Sequence, residues 1–335
     1  NLVATIELFG KLFEKSTFPT NEVNQLVKQM TTMMEAKSDD PVYMAREALK
    51  KHFQTYPAGD PRNTVLNEDL IKGLKSLTRE ELYDWYKTAV SAEHGAIAIV
   101  GEFDPAAVKA ALEKLYGNAK KVDAKYAYER YFGEYKPVAA ERIVIDAPSK
   151  ENAVIVARVD FAASVNDEDA AALVVADWIL GGGTGLSNRL VDRLRQKEGL
   201  SYGVGSHVKL PQFGNRSSWM MSAIVAPQNL PKAEACAKEE IERAVKEGFT
   251  EQEVKEAIKG ILDSRAVNRA QDDYLAQSWL QFMEAGKTFA FSKQFEERIA
   301  AVTVDSVNAA LRRMVMPENV TWILSGDLAK AGIKK

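Results

Sequence analysis

One cysteine, three histidines and no block of Lys or Arg make the scarcities of this chain its most informative feature. A lone Cys236 excludes an intramolecular disulfide and a cysteine-based zinc site, and it gives no vote on compartment. His52, His94 and His207 stand far apart, so neither His-x-x-x-His nor the inverted His-x-x-Glu-His occurs. Glu93-His94 comes nearest to the inverted pattern, but Val90 stands where its first histidine belongs. Net charge of −3, a pI near 5.9 and the lack of a Lys/Arg block disfavour a nucleic-acid binder, which needs a basic face to release counterions. No apolar run approaches the ~18 residues of a membrane span.

What remains is globular. At 46% hydrophobic and 27% charged, the 335 residues can bury a core, and the length suits about two domains. The first residues, Asn1 to Phe9, read as a helix already under way rather than as a signal peptide.

An internal repeat organises the chain. Phe18-Pro19-Thr20-Asn21-Glu22-Val23 is echoed by Phe249-Thr250-Glu251-Gln252-Glu253-Val254, each reading as an N-cap threonine opening a helix. Leu77-Thr78-Arg79-Glu80 is echoed by Val302-Thr303-Val304-Asp305, and each copy then ends on an apolar strand and a glycine. Those strands are Ala96–Val100 and Val320–Leu324, and both threonine-to-glycine intervals, Thr78 to Gly101 and Thr303 to Gly326, are 23 residues. The expectation is a truncated first repeat over 1–120, a tyrosine-rich connector over 121–140, and a complete second repeat over 141–335. The start of the first repeat would lie about 90 residues before Asn1. Strand and helix patterns give an α+β fold of duplicated layers, with a mostly antiparallel sheet and helices on one face.

Few segments carry chemistry. Gly181-Gly182-Gly183-Thr184-Gly185 follows a helix and no Lys closes it, so it fits neither phosphate-binding pattern and reads as a helix-to-helix turn with positive φ at the glycines. There is no Gly-x-Ser-x-Gly elbow, and Cys236 among alanines reads as core filler. His52, beside Lys50 and Lys51, reads as solvated, and His207 should face away from Tyr202 by strand parity. Arg195, near a helix end closed by Gly199, and Tyr202, just past that turn, could together grip a peptide carbonyl. On residue types alone they could equally be a solvated helix-end charge and sheet packing.

The stretches Leu180–Leu190 and Leu194–Tyr202 resemble the C-terminal domain of the insulinase/pitrilysin family of zinc metallopeptidases. So do Ala226-Pro227-Gln228-Asn229, Gln271–Ala276 and Tyr56–Pro61. The resemblance implies duplicated α+β domains closing as a clamshell around a peptide substrate. It implies a zinc ion in the full-length enzyme, held by H-x-x-E-H and a distant Glu, which activates water. Arg195 and Tyr202, seven residues apart, fall on the family's Arg and Tyr that donate hydrogen bonds to substrate backbone and oxyanion. This chain departs from the pattern, because no zinc motif is present and none of its residues is assigned to the metal. Glu35 lies near a ligand position of active first domains, but its surroundings match a degenerate domain and the role is not carried over. The resemblance therefore implies a metallopeptidase whose zinc sits upstream or on a partner subunit, with this portion inactive alone and a bacterial periplasmic location in keeping. The competing implication is a non-catalytic peptide-binding or structural subunit of the same family.

Overall fold

The computed structural model describes residues 2–122, 129–183 and 188–334. In chain order the elements begin α1 (Leu2–Lys15), α2 (Thr20–Ala36), α3 (Pro41–His52), α4 (Asn67–Ser76), α5 (Arg79–Ala89) and α6 (Pro105–Tyr116). Next come β1 (Arg142–Asp146), β2 (Ala153–Ala162), α7 (Ala170–Asp177), α8 (Arg189–Val191), β3 (Ser201–Lys209) and β4 (Arg216–Val225). The chain closes with α9 (Leu230–Glu247), α10 (Glu251–Asn268), α11 (Asp272–Glu284), α12 (Phe289–Ala300), α13 (Val304–Met314), β5 (Thr321–Gly326) and α14 (Leu328–Ala331). Two compact units result, neither of them one continuous stretch of chain.

The first unit holds residues 1–36, 67–130 and 269–286, hence α1, α2, α4, α5, α6 and α11. α1 lies against α6 so closely that a Cβ on Gly10 would sit 2.6 Å from a Leu115 methyl. Thr78 caps α5 in a reciprocal box with Glu81, and Arg79 stitches this end to the Thr17 and Phe18 carbonyls. The expected strand at Ala96–Val100 is absent among the described residues. A strand needs a neighbour to satisfy its N–H and C=O groups, and the described residues of this unit contain none to pair with. Ile97 and Val100 are accordingly exposed.

The second unit holds residues 37–66, 131–268 and 287–335, built on a five-stranded sheet of order β1-β5-β2-β4-β3. β1 and β5 are parallel and every other pair is antiparallel. β2 is covered on both faces, which is why it reads as a nearly unbroken apolar run. Ile155, Ala157 and Val159 join the main core with Trp219, Met221, Leu173 and Leu311. Val154 and Val156 turn the other way, and with Ile323 they receive Ala45, Leu49 and Phe53 from the α3 segment. The sheet thus carries most helices on one face and α3 on the other.

α3 also corrects the reading of His52. The ring is only 13% exposed; Nε2 lies 3.0 Å from the Ala139 carbonyl and from Thr321 Oγ1, and Nδ1 lies 3.2 Å from Glu141. It ties the helix to the start of β5, which sequence neighbours alone do not reveal. Of the connector tyrosines, Tyr126 and Tyr128 lie outside the described residues. Tyr131 is exposed, and Tyr135 is half-buried with its N–H donating to Asn215.

Candidate functional site

The glycine-rich segment leads into the candidate site, and its glycines serve close packing. α7 passes into a π-helical turn at Trp178–Gly182, and none of Gly181, Gly182 and Gly183 has positive φ. Thr184 and Gly185 lie outside the described residues. A Cβ on Gly181 would meet Ser206 Oγ at 2.7 Å, and one on Gly182 would meet Asp177 Oδ2 at 2.4 Å. The expectation of left-handed glycines is therefore corrected at the three positions seen. Gly181 makes room for β3, whereas Gly182 and Gly183 make room for Asp177 and Trp178 of the preceding turn.

Asp177 is the post around which this approach is built. Its buried carboxylate accepts from Ser206 Oγ at 2.6 Å, Trp219 Nε1 at 3.0 Å and the Val208 N–H at 3.0 Å. Burial pushes its pKa up, against the downward pull of the Ser206 and Val208 hydrogen bonds. Asp177 is the one charged residue between Ala170 and Gly183, and an isolated carboxylate in an apolar helix is the signal that could have found it.

Arg195 and Tyr202 stand on two backbone irregularities. The short α8 passes into a second π-helical turn, Asp192–Lys197, which carries Arg195. Leu190 and Leu194 anchor it in the core. Arg193 clamps its outer side, bonding Glu198 at 2.5 Å and Glu239 at 2.8 Å. Gly199, at φ 62°, closes the turn, and the Leu200 N–H reaches back to the Leu194 carbonyl. β3 then starts with a bulge, because Ser201 pairs with Val225 while Gly203 pairs with Ile224. The buried Ser201 hydroxyl, 2.7 Å from the Ile224 carbonyl, also accepts the Gly203 N–H at 3.2 Å. It satisfies groups that the bulge removes from the ladder.

Tyr202 is the extra residue of that bulge and is 65% exposed; Arg195 is exposed too. Among the described residues neither makes a hydrogen bond, ion pair or ring contact. Leu194, Arg193 and Ser201 are locked, whereas Arg195 and Tyr202 are not; Asp192 and Lys197 on the same turn likewise have no side-chain partner among the described residues. The bulge also undoes the parity argument about His207, since one inserted residue breaks the alternation between 202 and 207. π-Turns and bulges interrupt regular elements at a cost in ladder bonds, and they concentrate where a side chain must be re-aimed.

Comparison with known proteins settles the family. The description "Peptidase M16 inactive domain" matches residues 76–261, more than half of the chain. The chain belongs to the peptidase M16 family. This is the insulinase/pitrilysin group to which the sequence points. A Helicobacter pylori relative described as a "non-peptidase homolog", YmxG, is 19% identical, covering 96% of this chain and 71% of its own length. A Bacillus subtilis relative described as a "probable inactive metalloprotease", YmfF, is also 19% identical, covering 95% and 71%. The crystal structure of a peptidase M16 inactive domain from Pseudomonas fluorescens superposes with a TM-score of 0.77 at 20% identity, over 96% of this chain and 74% of that one. The M16 fold, a mixed and mostly antiparallel sheet with helices, is the one this chain adopts.

The residues present do not fit the zinc ion associated with active M16 peptidases. Among the described residues no group of three His, Cys, Asp or Glu side chains is placed to hold a metal. Glu35 pairs with Lys75 at 2.6 Å, and His52 is taken up by Ala139 and Thr321. Cys236 is buried and its thiol is pushed up by that burial, which makes it a poor ligand or nucleophile. No helix among the described residues is long and apolar enough to cross a membrane.

Proposed function

We propose that this chain is the non-catalytic, peptide-binding portion of an M16 assembly, and that Arg195 and Tyr202 are the groups it presents to the peptide. The observation that carries the reading is the contrast at the 192–203 turn. Leu194, Arg193 and Ser201 are fixed, while a guanidinium and a phenol project without partners among the described residues. Arg offers planar donors and Tyr one hydroxyl, and both suit backbone carbonyl oxygens of a bound peptide. Their backbone is held on rigid irregularities, so binding orders the two side chains without also having to order the turn that carries them.

The metal, on this reading, lies outside the described residues, either on further chain of the same polypeptide or on a partner subunit carrying H-x-x-E-H. The relatives named as non-peptidase and inactive support a chain without its own catalysis. No chemical step is assigned to this chain; its part is to bind and orient. The boundaries 1–120 and 141–335, with a connector between them, belong to the same proposal.

The test compares wild type with Tyr202→Phe and Arg195→Ala, each mixed with its metal-bearing partner or tested in the full polypeptide. If the two side chains reach the reacting carbonyl, each substitution lowers chelator-sensitive hydrolysis by about 10²–10³ in kcat, the usual loss for one such donor. A rise in KM alone would assign them to ground-state gripping, the purely peptide-binding reading. Unchanged kcat, KM and peptide affinity would remove both residues from the function.

A further inference from the structure

The richest unassigned feature lies at the other end of β3, on the sheet face that carries α3. A cavity of ≈ 340 Å³ opens there, lined by Lys50, Arg62, Arg158, Lys209 and Arg216 among other residues, and no carboxylate lines it. Strand register shows how part of this is built. Asp160, Ser218 and Lys209 are successive cross-strand partners on β2, β4 and β3 and share one row of that face. Asp160 is buried to 1% and serves two guanidinium groups at once, Arg158 Nε and Arg216 Nε, both at 2.7 Å. One carboxylate for two arginines leaves one positive charge in excess.

The rest of the lining adds to that excess. Arg216 spends its remaining nitrogens on the Phe53 carbonyl and Thr55 Oγ1, so it acts as a brace. Arg158 lies over the Phe53 ring at 4.3 Å, and its Nη1 is the nitrogen that Asp160 does not engage. Lys209 is exposed and has no hydrogen bond or ion pair among the described residues. Arg62 is balanced by Asp60 and lies 3.9 Å from the Tyr56 ring centroid, and Lys136, outside the lining, lies 4.5 Å from the same centroid. Glu47 balances Lys50 at 2.5 Å. The surplus positive charge of the lining therefore belongs to Arg158 and Lys209, beside the Phe53 ring, where it attracts an anion.

We propose that this cavity is a carboxylate-reading subsite, which takes an Asp or Glu side chain or the terminal carboxylate of a bound peptide. The class of ligand rests on the peptide-binding reading above; the preference for negative charge rests on the cavity alone. The subsite lies seven residues along β3 from Tyr202, on the order of 20 Å at strand rise, so it would read a residue well removed from the one Tyr202 meets. Its aromatic walls, Phe53, Tyr56 and Phe213, suit the apolar stem of the side chain that carries the acid.

The experiment is fluorescence anisotropy of the chain with four labelled peptides of one sequence. One carries two Glu with an amidated end, one has Gln in their place with a free end, one has Gln and an amide, and one has Lys and an amide. The subsite predicts that the Glu or the free-end peptide binds about tenfold tighter than the Gln amide, and that the Lys peptide binds weakest. Which of the first two gains identifies the source of the carboxylate. Lys209→Glu, on an exposed edge-strand position that tolerates substitution, abolishes that gain and leaves the Gln amide unchanged. Equal binding of all four, or a Lys209→Glu effect equal on all four, overturns the subsite. So does competition by inorganic phosphate with no carboxylate preference among the peptides, which would mark a free-anion site. Because Tyr202→Phe is assayed on the Gln amide, failure of the Tyr202 role and failure of the subsite show separately.

Discussion

Asp177 offers the sharpest test of how the site is held. Asp177→Ala removes the acceptor for Ser206 Oγ, Trp219 Nε1 and the Val208 N–H. Ser206 can turn its hydroxyl elsewhere, but Trp219 is fully buried and Val208 is buried at 7%, so two donors stay dry and unpaired. Two orphan donors at about 1–3 kcal/mol each cost about 2–6 kcal/mol, and the relief of no longer burying a carboxylate brings the expected loss to about 1–4 kcal/mol. That is a large part of the ~5–15 kcal/mol available to a typical domain. Asp177→Asn keeps one oxygen for Trp219 and Ser206 but sets an amide N–H against the Val208 N–H, so its loss should be about half as large. Urea unfolding followed by circular dichroism measures both. Equal stability of wild type and Asp177→Ala, or an Asn variant as damaged as the Ala variant, would refute the reasoning. The pH dependence adds a signed check. Burial raises this carboxyl in the native state despite the Ser206 and Val208 bonds. The native state therefore holds the proton more tightly than the unfolded chain. Its contribution favours folding in acid and is lost as pH rises through the native value. The advantage of wild type over Asp177→Asn should be greatest at low pH and shrink on the way to neutral.

Further outcomes follow from other parts of the fold. Glu253 accepts both ends of the Arg189 fork, at 2.7 and 2.9 Å, and closes the Thr250 capping box. Burial pulls its pKa up but is outweighed by Arg189 and Thr250, which hold it at about 2. It thus stabilises the fold above its unfolded value, and the contribution is lost as pH falls toward 2. Partial exposure screens the effect, so Glu253→Gln should cost about 1–2 kcal/mol at neutral pH and nothing near pH 2, by denaturant titration at both. Gly248→Ala meets both a φ of 80° and the Asn308 amide at 2.8 Å, whereas Gly199→Ala meets only a φ of 62° with open space around the Cβ. The first should lose about 2–3 kcal/mol and the second about 1, by thermal unfolding. Tyr202→Phe should leave the melting temperature unchanged, because its hydroxyl touches no described residue.

Much of this architecture is legible in the sequence where local signals and burial agree. α1 starts at Leu2 as the first residues suggest, and the threonines of the repeat, Thr78 and Thr303, each close a capping box on the helices that follow, α5 and α13. Two of the failures share a cause. Ala96–Val100 has the composition of β5, but a strand is a relation between segments, and among the described residues of its unit it has no mate. His52 has the neighbours of a surface residue, yet contacts 87 and 269 residues away enclose it. At the candidate site the sequence supplied the residue types and their seven-residue spacing. It did not show the π-turn under Arg195 or the bulge at Tyr202, because both depend on which carbonyl a given N–H finds. The glycines at 181–183 illustrate the same limit, since glycine signals a tight approach as readily as a left-handed turn.

Peptide affinity in a double-mutant cycle tests the central claim most directly. Wild type, Arg195→Ala, Tyr202→Phe and the double variant are titrated with one labelled peptide carrying no acidic group. The account predicts that each single substitution weakens binding at unchanged stability, and that the double variant loses less than the product of the two, because both side chains serve the same peptide segment. Four identical affinities would contradict it.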